Sequence, residues 1–573
     1  TFNTAVGKYA LWSNTTASYN TALGYDSLQG NTTGASNTAV GRNALRVNTT
    51  GYSNTALGSQ ALEAVTTGNR NIGIGTLAGH KITTGLYNVN IGEWSNGSCI
   101  TGTHNVAIGT NAMAANTASY NTAVGGLALD SNSSGANNVA IGYAALHSNT
   151  GVAGQVAVGA EALALNQSGG ENTAVGYQSL MTQVSDGHMN TAVGYKAGRL
   201  NLSGQSITAI GFKALEANTT GDGNTAVGQQ ALVVNTTGHS NVGVGQSALL
   251  ANITGADNTA VGYGTLAANL TGGNTAVGKQ SQRVTSTGAS NTSMGKHSMY
   301  ANTTGANNVA IGNDALSSNT TGATNTALGT LALAANTTAI NNVGIGYESL
   351  RTSTTAVSNV AIGSQALRSC TSGAENVSIG YQSCYNGVSL TGGQRNVVIG
   401  TYTRTSGVGS DNQNVIGYDV TGSGNNTFTF GNATTDTTCT NGATSWSAPS
   451  DERLKKDIAT STAGLSFIND LRPVTYKWKN EGDIPSDLSG YVEGSTEPWK
   501  NAFTEHGFIA QEVKTVIDAH SELKDGFDMW KEDEKDGRQR IADGAIVPML
   551  VKAIQELSTE NEALKARLTA GGL

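Results

Sequence analysis

Ser450 and Lys455 lie five residues apart in the hexapeptide Ser450-Asp451-Glu452-Arg453-Leu454-Lys455. A serine hydroxyl becomes a nucleophile when a base removes its proton. A lysine amine can be that base once desolvation or a neighbouring cation lowers its pKa, and Arg453 and Lys456 flank Lys455 with positive charge. The chemistry available is therefore a single serine–lysine attack on a peptide bond. By residue type alone the hexapeptide also reads as a solvated charged turn, because a serine near a lysine is common on surfaces.

The hexapeptide marks a change in the polymer. Residues 1–450 carry 15 Lys+Arg and 16 Asp+Glu, whereas residues 451–573 carry 16 and 23. The long segment is thus close to neutral (15 − 16 = −1) and has no basic footprint for nucleic acid or an anionic membrane. Its many glycines with a single proline, Pro449, exclude collagen, and its few aromatics argue against an ordinary packed enzyme. No run of about 18 apolar residues occurs, so no membrane insertion is expected. Cys99, Cys370, Cys384 and Cys439 lack metal-ligand spacing and read as free thiols. No metal or other cofactor is expected. The chain starts in mid-repeat, as the C-terminal part of a longer protein would.

The repeat is the element that everything else must serve. Pentads ending in glycine recur from Gly7 to Gly400, giving 24 anchors; 19 of the 23 intervals are 17 residues, and the others are 16, 18, 16 and 20. Asn37–Ser53 is typical: NTAVGRNALRVNTTGYS. Thr38 and Val40 alternate with Asn37, Ala39 and Gly41, and neither face is charged, so both are expected to be buried, the β-branched face in the core and the Ala/Gly face against another backbone. Ala44-Leu45 then predicts a second short strand, and NTTG a turn in which glycine takes positive φ. Two strands and two turns make one rung of a parallel β-solenoid. Twenty-four rungs span about 115 Å if a chain stacks on itself, and about 345 Å if three chains interleave. The NTT triplets match the N-glycosylation pattern, but their recurrence reads as stacked turn chemistry.

Beyond Gly400 the register loosens through Asn414–Gly417 and the alternating Thr427–Phe430, and the aromatics Tyr418, Phe428, Phe430 and Trp446 gather there. After the hexapeptide, Leu465, Ile468 and Leu471 predict a helix ended by Pro473, Val474–Lys479 a half-exposed strand, and His506–Val513 the entry to a helix through Ile517. Val547, Leu550, Ile554, Leu557, Asn561, Leu564 and Leu568 step by 3 and 4, a heptad seam with one polar position.

Two resemblances follow. The pentads Asn308–Gly312 and Asn359–Gly363 resemble the head repeats of trimeric autotransporter adhesins, a left-handed β-roll of pattern SVAIGxxSxA with a shorter period; this implies a trimer. Ser450–Lys455, Leu471–Lys479, His506–Val513 and Val551–Leu568 together resemble the intramolecular chaperone domain of phage tailspikes and tail fibres of the endosialidase type. That resemblance implies a domain that trimerises, registers three chains and then cuts itself off between Ser450 and Asp451, with Ser450 as nucleophile, Lys455 as its base and His506 as a weaker candidate helper. The expected fold is mostly β: a trimeric parallel β-solenoid shaft over 1–400, a β-rich neck or tip over 401–450, and a small α+β domain over 451–573 ending in a coiled coil over 547–568. The expected function is a homotrimeric, host-binding phage tail fibre. It would be made in the host cytoplasm and carried on the virion, meeting a glycan or surface protein on the host and other tail proteins through a region before residue 1. The alternatives are a polysaccharide-degrading tailspike, which needs paired carboxylates in a cleft, and a bacterial trimeric surface adhesin.

Overall fold

A computed structural model describes the chain apart from residues 1, 386, 388, 443–446, 448–449, 451, 489, 524–526, 534–536 and 572–573. Trp446 and Asp451 therefore lie outside the described residues. The chain divides into two compact units, Thr1–Pro449 and Ser450–Leu573.

The first unit is a parallel β-solenoid that stacks on itself. Its strands β1 (Thr4–Val6) to β24 (Val397–Ile399) are each three residues long, and each pairs in parallel with the next. Thr38, Ala39 and Val40 sit opposite Thr55, Ala56 and Leu57, one period of 17 residues on. The stack is thus the non-interleaved one, about 115 Å for 24 rungs at the ordinary strand spacing. The parallel order continues past Gly400 through β25 (Asn414–Tyr418) and β26 (Thr427–Asn432), and reverses only at β27 (Asp436–Thr440), which is antiparallel to β26.

Three expectations about the rung are corrected. The NTTG glycines such as Gly34 and Gly51 do not take positive φ; the pentad glycine does, as at Gly41 (φ +134°). The Ala44-Leu45 segment is a turn, not a second strand. Asn43 (φ 61°) and Leu45 (φ 50°) take left-handed conformations that tighten the chain, yet their backbones still join rungs: Asn43 N–H donates to Tyr25 O at 2.9 Å and Leu45 N–H to Ala61 O at 3.1 Å. The faces of the strand are also reversed from the expected arrangement. Ala39 is fully buried with Ala44 and Leu45, while Thr38 is exposed and Val40 half-buried. Along most of the stack the interior is too thin for a β-branched residue at the alanine position. At Gly73, which occupies the alanine position, an added Cβ would lie 2.7 Å from Leu62 Cγ. Leucine from the turn fills the interior, and from β1 to β23 the position across from it holds Ala, Gly or a small polar residue; Val398 and Val415 enter it only at the C-terminal end of the stack.

Asparagine completes the core. Asn54 N–H donates to Asn37 Oδ1 at 2.9 Å, Asn71 N–H to Asn54 Oδ1 at 3.0 Å, and Asn54 Nδ2 reaches Gly68 O at 2.8 Å. A second column is built from the NTTG turns, where Asn48 Nδ2 donates to Asn31 Oδ1 at 2.7 Å and to Gly51 O at 2.9 Å. The NTT asparagines such as Asn31 and Asn48 are fully buried, so they are structural ladders and not glycan acceptors. Cys99 and Cys370 replace asparagine in the second column and Cys384 replaces the turn leucine. All three are free, and burial pushes the Cys370 thiol up to about 11 and Cys384 up to about 12.

The second unit has α1 (Leu465–Asp470), β28 (Val474–Tyr476) antiparallel to β29 (Glu505–Gly507), α2 (Ala510–Ala519), a hairpin of β30 (Trp530–Glu532) and β31 (Gln539–Ile541), and the terminal α3 (Val547–Ala570). Phe467, Leu471, Val513, Ile517, Leu523 and Met529 form its core.

The closing glycine of the pentad is the most constrained position in the shaft. Gly228 has φ +133°, and a Cβ there would lie 2.7 Å from the carbonyl carbon and oxygen of Gly245. Gly228→Ala is expected to destabilise the surrounding rungs by about 3 kcal/mol, strain and overpacking combined. The neighbouring exposed change Gln229→Ala should stay within about 0.5 kcal/mol. Amide-exchange protection across residues 211–245 measures both.

Candidate functional site

The second unit opens with a single turn of 3-10 helix over Glu452–Leu454, closed by Lys455 N–H donating to Glu452 O at 3.0 Å. This turn folds Lys455 back on the start of the unit. Lys455 Nζ donates to Ser450 Oγ at 2.7 Å, so two of the residues singled out in the sequence meet in hydrogen-bonding contact. Both side chains are exposed. Asp451, the other side of the expected scissile bond, lies outside the described residues. His506 sits on β29 opposite Thr475 with its side chain exposed. Among the described residues no hydrogen bond joins it to Ser450 or Lys455.

The histidine that the fold does engage is His520, which the sequence gave no reason to select. It follows α2, with its side chain only 10 % exposed. Its Nε2 lies 2.9 Å from Asp470 Oδ2 at the end of α1, its Nδ1 lies 3.1 Å from Glu522 Oε1, and its ring stands edge-on to Phe467. The contact to Asp470, then that to Glu522, holds its pKa above the ordinary 6.5 against the opposing effect of burial. Elsewhere Arg472 forks onto Glu512, tying the residue before Pro473 to α2.

The terminal helix is fixed by its first half and open along the second. Leu465 N–H at the start of α1 donates to Glu556 Oε2 at 2.7 Å, which satisfies a free helix-end donor and holds the Glu556 carboxyl below its usual range. Ala553 is buried and Met549 packs on the core. The expected seam residues Leu550, Ile554, Leu557, Leu564 and Leu568 are all exposed. The 24-residue helix therefore carries the heptad stripe on a face that the described residues of this unit leave exposed.

Residues 450–522 match a peptidase family model described as the chaperone of endosialidase. The matched segment begins at Ser450 and includes the Ser450–Lys455 contact, α1, the β28–β29 pair, α2 and both carboxylate partners of His520. A comparison with curated proteins found no match to the chain. An endosialidase-type chaperone segment at the C-terminal side of a β-solenoid of 17-residue rungs fits the tail-fibre or tailspike class of protein.

Because folding raises the His520 pKa, protonation of the ring favours the folded state. The contribution is fully present below the unfolded value of 6.5 and is lost as pH rises through the higher folded value. Wild type should hold α2 more firmly at about pH 6 than at about pH 8, and His520→Gln should remove that difference. Limited proteolysis of residues 510–519 in an uncleaved Ser450→Ala chain reads it out.

Proposed function

We propose that this chain is the shaft and self-releasing chaperone of a homotrimeric phage tail fibre. The observation that carries the reading is the 2.7 Å contact between Lys455 Nζ and Ser450 Oγ at the first residue of the matched chaperone segment. Ser450 serves as nucleophile and Lys455 as its base for one cut, between Ser450 and Asp451. A lysine acts as a base only after losing its proton, which desolvation favours. Both groups are exposed in the single chain, so the desolvation has to come from packing that assembly supplies, and the cut then follows trimerisation. The exposed seam of α3 supports three-chain association, since an apolar heptad stripe is stable in water only when another helix covers it.

The freed shaft would carry adsorption to the host and remain on the virion with the other tail proteins. A shallow, open concavity of about 460 Å³ lies on its flank. There His297 lies 3.0 Å from Gln280 Oε1 and 3.4 Å from Asp314 Oδ1, beside Tyr300 and Ser317. Convergent amide, carboxylate, imidazole and aromatic groups suit the hydroxyls and ring face of a sugar.

Intact mass on denaturing gels tests the chemistry. Wild type should lose a fragment of 573 − 450 = 123 residues, while Ser450→Ala and Lys455→Ala stay whole, and all three should run as trimers on native gels. A wild-type chain that stays whole as a trimer would remove the catalytic assignment and leave a permanent cap.

A further inference from the structure

The outward face of the shaft strands is uncharged in every rung, and one of its two columns is apolar throughout. From β1 to β24 the first strand residue is always Thr, Val or Ile, and the third is always Val, Leu, Ile or Met; no strand contains a charge. These side chains do not belong to the solenoid's own core. Leu57 is 48 % exposed, Ile141 and Ile210 39 %, and Val193 36 %. In β26 the same two columns end in Phe428 and Phe430, in register with Asn414 and Ile416 of β25.

Charge is kept to other parts of the rung. The flank after the pentad glycine holds most of the shaft's ion pairs, such as Arg46–Glu63 at 2.8 Å, Arg199–Glu216 at 3.2 Å and Arg368–Glu348 at 2.7 Å, while Arg395–Glu375 at 3.4 Å lies just before the pentads. A selection for mere solubility would scatter charges over both surfaces. A lattice of hydroxyls is not what is preserved either, because Val replaces Thr in the first column in runs such as Val343, Val360, Val377 and Val397. A β-branched first column, an apolar third column and the absence of charge are the constant features.

We infer that this two-column stripe is the surface through which the shafts of identical chains pack against one another around a common axis. The inference rests on the trimeric reading above and assigns its shaft interface. Two columns about 7 Å apart along about 115 Å present on the order of 1,000 Å² per chain. Around a three-fold axis each stripe is shared between two neighbours, so each contact buries about 1,000 Å² counting both sides, the lower bound for a specific interface. Exposed apolar surface of that extent marks an interaction site. The partner must be equally long, uncharged and ridged at the rung spacing, and a second copy of this shaft meets all three conditions. Side chains of one stripe can then settle between the rungs of the next.

The test uses the full chain. Lysines at Val193, Ile210 and Val227 place charge on the stripe; lysines at the flank positions Gln229, Gln230 and Gln246 are the control. After self-release, sedimentation should find wild-type and control shafts at three chains and the stripe variant at one. Because the stripe variant could misfold, Val193→Cys supplies a second reading: mild oxidation should link its chains into dimers, whereas Gln229→Cys and wild type should not. A stripe variant that stays trimeric, with Val193→Cys chains that stay unlinked, overturns the inference while leaving the trimer standing. A monomeric wild type overturns the trimeric reading itself, and this inference with it.

Discussion

Rung-to-rung hydrogen bonding is the constraint on which the shaft depends. A strand of three residues contributes almost nothing alone, and each 17-residue rung places its backbone donors and acceptors on the rungs either side. That geometry requires main chains to approach at the strand spacing all round the coil. At the pentad glycine no side chain can be accommodated, because φ is near +133° and the next glycine's carbonyl group occupies the place of a Cβ. The asparagine columns follow from the same constraint. Buried carbonyls at the turns need donors, and an amide side chain can donate to the turn below its own ladder while accepting from the next rung.

The period, the pentad glycine, the place of the NTTG turn and the parallel stacking were legible in the sequence, because each leaves a residue type at a fixed interval; the backbone of that turn, whose glycine does not take positive φ, was not. Which strand face is buried was not. Alternation shows that a strand has two faces, and Thr38–Ala39–Val40 is satisfied by either assignment. The deciding quantity is the width of the interior, and that depends on Leu45 entering from a left-handed turn. A leucine at φ 50° is an uncommon conformation that no propensity would select. The same residue explains the missed turn, since Ala44-Leu45 reads as apolar strand until its backbone is known.

The candidate dyad was legible in part. Five residues of separation put Ser450 and Lys455 within reach only if the intervening chain turns, and the 3-10 turn over Glu452–Leu454 supplies this. His506 was selected by its motif neighbours, but its position on a two-stranded sheet leaves it exposed opposite Thr475. His520 has no motif. Its role comes from Asp470, which is 50 residues distant in sequence, a proximity created by tertiary packing of α1 and α2.

The repetitiveness that makes the shaft simple to build also makes it ambiguous to assemble. Chains whose rungs are nearly alike could pair in register or one rung out of step at almost equal energy along the outward stripe. Local irregularities distinguish the registers only weakly: the 16-, 18- and 20-residue intervals, and the apolar block Val65, Ile82 and Cys99 inside the second asparagine column. In the proposed function a separate trimerising unit sets the register before the stripes close. On that reading, removing the unit afterwards would leave the chains no aligned route back, and the product would be held by a kinetic barrier as well as by its contacts. The exposure of Ser450 and Lys455 in the single chain is consistent with that order, because a dyad that became active before assembly would discard the aligning unit too early.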